Sequence, residues 1–385
     1  MIPYGRQDIS EADIAAVVEV LRSDWLTQGP AIDRFETAVA AYCGVRHAVA
    51  VSNATAALHI ACLAAGLGPD GLLWTSPNTF VASANCALYC GAQVDFVDID
   101  PHTYNMSIDA LEQKLARAEQ QGALPDVLVP VHFAGHSCDM AEIGALASRY
   151  GFKVIEDASH AIGGHYRERP VGSCEYSDMT VFSFHPVKIV TTGEGGMVLT
   201  NDADLAERLR RLRSHGITRD PAAMDCEPDG AWFYQQVELG FNYRMTDLQA
   251  ALGASQMARL EQFVERRHAL AARYDRLLAG LPLDVPRREP GTRSAFHLYV
   301  VRLRLNGAGV SHRQVFDGMR ARGIGVNLHY IPVHTQPYYR QLGFAKGDFP
   351  QAEAYYREAL SLPLFPGLSE AGQDQVAAAL REVLA

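Results

Sequence analysis

Between about residue 45 and residue 200, short apolar segments alternate with segments that have helical periodicity. The predicted strands are Ala48–Val51, Leu72–Thr75, Val94–Val97, Val127–His132, Lys153–Glu156, Met179–Phe184 and Met197–Thr200. The predicted helices are Thr55–Leu67, Phe80–Tyr89, Ile108–Ala118, Met140–Tyr150 and Asp204–Arg213. The strands are almost uninterrupted hydrophobic runs, as expected when helices cover both faces of a sheet. The alternation therefore predicts an α/β fold with a mixed, mostly parallel sheet.

The rest of the chain predicts a second, smaller unit. A long helical stretch, Met245–Leu278, is expected to break near Gly253, and a segment rich in proline and charge, Pro282–Pro290, follows it. Because the chain is too long for one ordinary core, we expect a large domain over 1–281 and a small α+β domain over 282–385. The small domain is predicted to contain strands at Phe296–Leu303 and Val326–His329, with helices at His312–Arg322, after Phe349 and after Ser369.

Composition argues against several classes of function. The net charge of −10 disfavours nucleic acid as the main partner. No apolar run approaches the roughly 20 residues of a membrane span, and the first residues lack a signal-peptide core. The seven cysteines include no Cys-x-x-Cys pair. We therefore expect a cytoplasmic protein with free thiols, no metal site and no membrane partner.

The segment Ser183-Phe184-His185-Pro186-Val187-Lys188 places a lysine between an apolar strand and a glycine-rich turn. A lysine held against an apolar strand end is a candidate for a lowered pKa and for Schiff-base chemistry. By itself, Lys188 is more simply interpreted as a surface residue. Ligands of open α/β sheets collect at the carboxyl ends of strands, so polar residues at neighbouring strand ends favour a functional role.

Two further motifs follow predicted strands. Asn53-Ala54-Thr55-Ala56-Ala57 opens a helix, where free amides and small side chains suit a phosphate, although an ordinary helix cap explains the same residues. Phe80 follows the next strand and could stack on a planar ring, although it could equally belong to the core.

A third motif, Val154-Ile155-Glu156-Asp157, ends a strand in two carboxylates. Asp157 could stabilise a protonated heteroaromatic nitrogen or could cap a helix. His160 could contact the same ring, or could be a buried structural histidine. A phosphate cradle, a stacking ring, an acid for a pyridine nitrogen and a lysine are the groups that pyridoxal phosphate requires.

On these motifs the chain resembles the DegT/DnrJ/EryC1/StrS sugar aminotransferases, which have the fold-type-I architecture of pyridoxal-phosphate enzymes. The resemblance covers nearly the whole chain. It extends to Leu26-Thr27-Gln28-Gly29-Pro30, Asn78-Thr79-Phe80-Val81-Ala82, Gly240-Phe241-Asn242-Tyr243-Arg244-Met245 and Ser361-Leu362-Pro363-Leu364-Phe365-Pro366.

The resemblance implies roles for individual residues. Lys188 would form the Schiff base, Asp157 would pair with the pyridine nitrogen, and His160 would lie near the ring oxygen. Phe80 would stack on the ring. The residues implied for the phosphate are Ala54, Thr55, Ser183 and, from the neighbouring subunit of a homodimer, Asn242. The residues implied for the nucleotide-sugar pocket are Tyr4, Trp25, Leu26, Thr27, Arg244, Asn327, Leu328, His329 and Tyr330.

The resemblance also implies a ping-pong transfer of an amino group. The donor would be L-glutamate, and the acceptor would be the C4 ketone of a UDP-linked 6-deoxy-N-acetylhexosamine. An aminotransferase that acts at C3, or on a dTDP- or GDP-linked sugar, stays open at this point. A dehydratase of the family is expected to have histidine where this chain has Lys188. A regulatory homologue without turnover would need a DNA-binding segment or a damaged site.

Overall fold

The computed structural model describes residues 1–305 and 309–385. In chain order, its helices are α1 (Glu11–Leu21), α2 (Pro30–Cys43), α3 (Ala54–Ala64), α4 (Ala82–Tyr89), α5 (Ile108–Gln121), α6 (Met140–Tyr150), α7 (Ala203–Arg213), α8 (Asp247–Met257), α9 (Leu260–Leu277), α10 (His312–Ala321), α11 (Pro337–Gln341), α12 (Pro350–Glu358) and α13 (Glu370–Leu384).

The strands, in the same order, are β1 (His47–Val51), β2 (Leu72–Thr75), β3 (Gln93–Phe96), β4 (Val127–Val129), β5 (Lys153–Asp157), β6 (His165–Tyr166), β7 (Arg169–Pro170), β8 (Met179–Ser183), β9 (Gly196–Thr200), β10 (Ile217–Thr218), β11 (Gln235–Gln236), β12 (Leu283–Asp284), β13 (Thr292–Arg293), β14 (Tyr299–Leu303) and β15 (Ala359–Leu362).

A seven-stranded sheet forms the centre of the fold, in the order β1-β9-β8-β5-β4-β2-β3. Strands β3, β2, β4, β5 and β8 pair in parallel. Strand β9 is antiparallel to both of its neighbours, β8 and β1. Every residue of β4, β8 and β9 is buried, as expected for strands that have helices on both faces. The prediction of an α/β fold with a mixed, mostly parallel sheet is confirmed.

The two faces of this sheet pack against different helices. Because successive strand residues point to opposite faces, Val49 of β1 joins a core with α3, α4 and α7, whereas Ala50 joins a core with α2 and α8. Near the β3 edge, α5 and α6 cover the second face, where Leu128 and Val154 are buried. The carboxyl ends of the parallel strands are left free of these layers, and the connections there form the site.

A second sheet, in the order β12-β14-β15, is antiparallel and packs against α9, α10 and α13. Ile2, at the start of the chain, forms a bridge with Ile324 and packs against the core of this sheet. Helix α9 contributes Leu270 and Tyr274 to the core of this second sheet, so α9 and the sheet pack together although residue 281 separates them in the sequence. The division of the chain at residues 281 and 282 stays a prediction.

The break predicted in the long helical stretch is wrong in its position. The stretch is interrupted at Ala258 and Arg259, between α8 and α9, and not near Gly253. Gly253 lies inside α8, where an added Cβ would lie 2.6 Å from Cζ of Phe35. The glycine therefore allows α8 and α2 to pack closely, and it does not end the helix.

The strand predicted over Val326–His329 is also wrong. Asn327 forms only an isolated bridge with Ser361, and the residues after it leave the small sheet as a loop. Of the described helices, even the longest, α9, is too polar to cross a bilayer, and no other is long and apolar enough to do so.

Candidate active site

The carboxyl ends of several central strands meet at a cavity of about 790 Å³. Strand β5 ends in Asp157, β8 ends in Ser183, and the loop after β8 carries Lys188. The loop after Asn327 faces them from the smaller sheet. The predicted site residues that line this cavity are Tyr4, Ala54, Thr55, Phe80, Asp157, His160, Ser183, Lys188, Asn327, Leu328, His329 and Tyr330.

Lys188 is part-buried at the end of a tight turn, in which its amide donates to the carbonyl of His185 at 2.9 Å. Burial lowers the pKa of Lys188 to about 8, although Asp157 opposes the shift by favouring the charged form. An amine with this pKa is partly neutral near neutral pH. It can therefore act as a nucleophile and can take up and return a proton.

Asp157 is a buried carboxylate in the cavity wall. One of its oxygens, Oδ1, accepts from the amide of Ser159 at 3.1 Å, and the other, Oδ2, accepts from the hydroxyl of Ser83 at 2.6 Å. The backbone of Asp157 pairs with that of Val131 in the sheet. Asp157 is therefore a strand-end residue and not a helix cap, and its charge faces the same cavity as Lys188.

His160 lies in the cavity wall next to Tyr330 and His297. Its Nε2 lies 3.1 Å from the hydroxyl oxygen of Tyr330, and its ring centroid lies 4.4 Å from that of His297. Burial lowers the pKa of His160 well below its ordinary value, and the positive charge of Lys188 adds to this effect. The ring is therefore neutral and offers one N–H.

The N-terminus of α3 has the features of an anion site. The side-chain oxygen of Asn53 accepts from the backbone amide of Ala56 at 2.8 Å, and the backbone carbonyl of Asn53 accepts from the backbone amide of Ala57. The amides of Ala54 and Thr55 remain for a ligand that enters from the cavity. Asn53 is thus the helix cap, and the cap and the phosphate cradle are compatible interpretations of one motif.

Close packing beneath this turn depends on Gly196, the first residue of β9. An added Cβ there would lie 2.5 Å from the carbonyl carbon of Asn53 and 2.7 Å from the amide nitrogen of Ala54. A turn packed against a glycine, with free amides and the Ser183 hydroxyl in one cavity, fits the phosphate of pyridoxal phosphate.

The ring of Phe80 belongs to the cavity and not to the core. It is 59% exposed, lines the cavity, and lies 6.2 Å from the ring of Tyr330 between centroids. An aromatic face that is not covered by other side chains is available for a planar ligand. The arrangement therefore fits the pyridine ring as well as the phosphate.

Five predicted site residues do not line this cavity: Trp25, Leu26, Thr27, Asn242 and Arg244. Two of them, Leu26 and Thr27, lie against the residues that begin α8. Thr27 forms a bridge with Thr246, and the amide of Asp247 donates to the carbonyl of Leu26 at 3.0 Å. Within α8, Gln249 donates to the carbonyl of Glu194, which does line the cavity. The start of α8 therefore borders the rim of the site.

Seven polar cavity residues were not predicted from the sequence as site residues: Asn53, Thr79, Ser83, Ser159, His185, Glu194 and His297. Ser83 could have been found, because it lies three residues after Phe80 and shares the same helical face. His297 gives no local signal, since it precedes a buried strand in a distant part of the chain.

A model of the DegT/DnrJ/EryC1/StrS aminotransferase family matches residues 7–381. The chain belongs to this family. It is 40% identical over 386 residues to the spore coat polysaccharide biosynthesis protein SpsC of Bacillus subtilis (strain 168), and the match covers 100% of this chain and 97% of that protein.

Solved structures of related aminotransferases superpose on the whole fold. Helicobacter pylori PseC, an aminotransferase involved in the biosynthesis of pseudoaminic acid, is 28% identical with a TM-score of 0.89, over 100% of this chain and 99% of that one. The PLP-form of the putative sugar aminotransferase Spr1654 from Streptococcus pneumoniae is 29% identical with a TM-score of 0.87, over 100% of both chains. The protein is therefore a sugar aminotransferase of fold type I that uses pyridoxal phosphate.

Proposed function

We propose that this enzyme transfers the amino group of L-glutamate to the C4 ketone of a UDP-4-keto-6-deoxy-N-acetylhexosamine. The product would be the UDP-4-amino sugar of pseudaminic acid biosynthesis, which makes the activity that of a UDP-4-amino-4,6-dideoxy-N-acetyl-β-L-altrosamine transaminase. One observation carries the proposal: Lys188, Asp157 and the start of α3 open into the same cavity as Tyr4 and His329. The likeness to PseC over the full chain supports the sugar class.

Pyridoxal phosphate, when bound, supplies an electron sink for the carbanion that forms at the reacting carbon. The amides of Ala54 and Thr55 would hold its phosphate, together with the hydroxyl of Ser183. Phe80 would cover the ring. Asp157 would stabilise the protonated ring nitrogen, because a nearby negative charge favours a cation.

Lys188 is the group of this cavity that is suited to carry a proton. Its pKa, lowered to about 8 by burial, lets Nζ accept a proton from the reacting carbon and return it. His160 and His329 are held neutral, since burial lowers the pKa of His160 well below its ordinary value and lowers that of His329 to about 3. These histidines therefore serve as hydrogen-bonding groups. One cavity would serve the donor and the sugar in turn, which gives ping-pong kinetics.

The sugar would bind against the loop from Asn327 to Tyr330. The ring of Tyr4 lies 5.5 Å from that of His329, and Nδ1 of His329 lies 2.8 Å from the hydroxyl of Ser361. Aromatic faces and neutral polar groups suit a substrate rich in hydroxyl and amide groups. The nucleotide would lie beyond Tyr4, outside the reacting centre.

We also infer a homodimer in which each chain completes the site of the other. Of the five predicted residues that do not line the cavity, Leu26 and Thr27 lie against the start of α8, and Trp25 and Leu26 are exposed apolar side chains. In a twofold dimer, Asn242 and Arg244 of one subunit would reach the phosphate and the sugar of the other. The cytoplasm is the compartment we propose, because a reducing environment keeps the seven cysteines free.

The substrate is tested with enzyme loaded with pyridoxamine phosphate and then mixed with purified keto sugars. The panel contains UDP-, dTDP- and GDP-linked sugars with the ketone at C3 or C4, and each product is identified by mass. We expect amination of a UDP-4-keto-6-deoxy-N-acetylhexosamine at least tenfold faster than that of the others, which corresponds to about 1.4 kcal/mol. Preferred amination of a dTDP- or GDP-linked sugar, or of a C3 ketone, would overturn the substrate assignment.

A further inference from the structure

Two hydroxyl side chains form a chain of hydrogen bonds that ends on Asp157. Oγ1 of Thr79 lies 2.7 Å from Oγ of Ser83, and Oγ of Ser83 lies 2.6 Å from Oδ2 of Asp157. All three side chains are at least nine-tenths buried. Burial reduces competition from water for these bonds, so they help to set the geometry of the carboxylate.

The direction of the chain follows from the chemistry of its members. An ionised carboxylate has no proton to donate, so the hydroxyl of Ser83 donates to Asp157. A serine hydroxyl has a single proton, so the bond between the two hydroxyls takes its proton from Thr79. The bond to Asp157 is charge-assisted, and such bonds are stronger than those between neutral groups.

These hydrogen bonds lie next to Phe80, the residue that would cover the ring of the cofactor. Ser83 is the second residue of α4, and its amide donates to the carbonyl of Phe80 at 3.3 Å. The same helical turn therefore fixes both Phe80 and the donor to Asp157. On the other side, Oδ1 of Asp157 accepts from the amide of Ser159. The carboxylate is thus held at both oxygens, from two separate elements.

We propose that Ser83 is a positioning residue that orients the Asp157 carboxylate toward the ring nitrogen of the cofactor, with Thr79 orienting Ser83 in turn. This rests on the proposed role of Asp157 as the partner of that nitrogen. Ser83 acts on the cofactor through Asp157 alone. The loss of its hydroxyl leaves the carboxylate held at Oδ1 alone, so its orientation toward the cofactor is less firmly fixed.

The test compares pyridoxal phosphate binding in Ser83→Ala, Ser83→Thr, Thr79→Val and Asp157→Asn. Two quantities are measured: the dissociation constant of the cofactor from the apoenzyme, and the pH midpoint of the visible absorbance of the lysine-bound cofactor. For Ser83→Ala we expect the dissociation constant to rise about tenfold. The pH midpoint should move toward that of Asp157→Asn. Ser83→Thr keeps the hydroxyl and should restore both values, and Thr79→Val should give a smaller change of the same sign.

A double variant shows whether Ser83 acts through Asp157. Adding Ser83→Ala to Asp157→Asn should change neither quantity beyond the single Asp157→Asn variant, because residues in one network are not additive. The control is Ser137→Ala, which removes a buried hydroxyl that donates to the carbonyl of Cys138, outside this cavity. It should leave both values unchanged.

The outcomes separate this proposal from the proposed function. If Asp157→Asn shifts the midpoint but Ser83→Ala and Thr79→Val do not, the positioning role is wrong and the role of Asp157 stands. If Asp157→Asn leaves the midpoint and the dissociation constant as they are in the parent enzyme, the cofactor role of Asp157 itself is wrong. If Ser83→Ala does not fold, the shift in Thr79→Val decides, and the absence of that shift overturns the proposal.

Discussion

The backbone amide of Ala134 donates a hydrogen bond to Nδ1 of His160 at 3.2 Å, and this bond fixes the tautomer of the ring. A nitrogen that accepts from an amide cannot itself carry a proton, so the proton of the neutral ring lies on Nε2. That nitrogen is the one near the hydroxyl of Tyr330, on the cavity side. His160 therefore carries a fixed N–H donor beside Tyr330 in the cavity wall, and does so without a positive charge.

An amide side chain should replace this donor. We expect His160→Gln to keep kcat within about fivefold of the parent value, whereas His160→Leu should lower it about 10- to 100-fold, because it removes a donor to a charged group. Both variants are assayed at saturating cofactor, and the visible absorbance spectrum is compared between them. Equal losses in the two variants would contradict a role for the N–H donor.

Replacement of Gly196 should weaken cofactor binding through the packing of α3. An alanine Cβ would meet the backbone of Asn53, so Gly196→Ala must push the first turn of α3 out of place. The dissociation constant of pyridoxal phosphate should rise about tenfold, since overpacking typically costs 1–3 kcal/mol. The control is Gly68→Ala, where an added Cβ meets no atom within 4 Å, and its cofactor affinity should be unchanged.

Hydrophobic periodicity and turn residues were sufficient to predict the central sheet. Strand patterns in a parallel sheet are local, and ligand residues at strand ends follow from the topology. The roles of two adjacent residues were harder to tell apart from the sequence. Glu156 precedes Asp157, but successive strand residues point to opposite faces, and Glu156 is buried with His132 at 2.6 Å. Its role is structural, and only the path of β5 through the sheet shows this.

Contacts between distant segments were beyond what sequence patterns predict. Arg267 of α9 is 1% exposed, and its Nη1 donates to the carbonyls of Phe296, His297 and Leu364. From sequence, an arginine in a helix is expected at the surface. The carbonyls that accept from Arg267 come from loops that have no recognisable sequence pattern. His297 was missed for the same reason, since this loop brings it to His160 across the fold.

Mixed dimers should recover activity if the sites are shared. Lys188→Met lacks the lysine of its own site, and Arg244→Ala lacks a group that would serve its partner's site. When the two inactive variants are co-expressed, a twofold dimer gives one complete site per heterodimer, or about one quarter of all sites. Activity per site in the co-expressed mixture should rise to about one quarter of the parent value. Each variant assayed alone should be inactive. Absence of recovery in a verified heterodimer would contradict the shared site.

Lys188 should destabilise the folded apoenzyme below pH 8. Burial lowers its pKa from 10.5 to about 8, so between these values the unfolded chain binds one proton more than the folded chain. The free energy of unfolding therefore rises with pH across this window. We expect Lys188→Met, which removes the charge, to be more stable than the parent by about 2 kcal/mol at pH 7, a value reduced for partial exposure. The difference should shrink by about 1 kcal/mol at pH 9.

Urea unfolding of both apoproteins measures this difference in the free energy of unfolding. The exposed Lys346→Met serves as control and should show no such pH dependence. Loss of activity in Lys188→Met with no gain in stability would show that the lysine is solvated, and its role as a neutral amine would then need another cause.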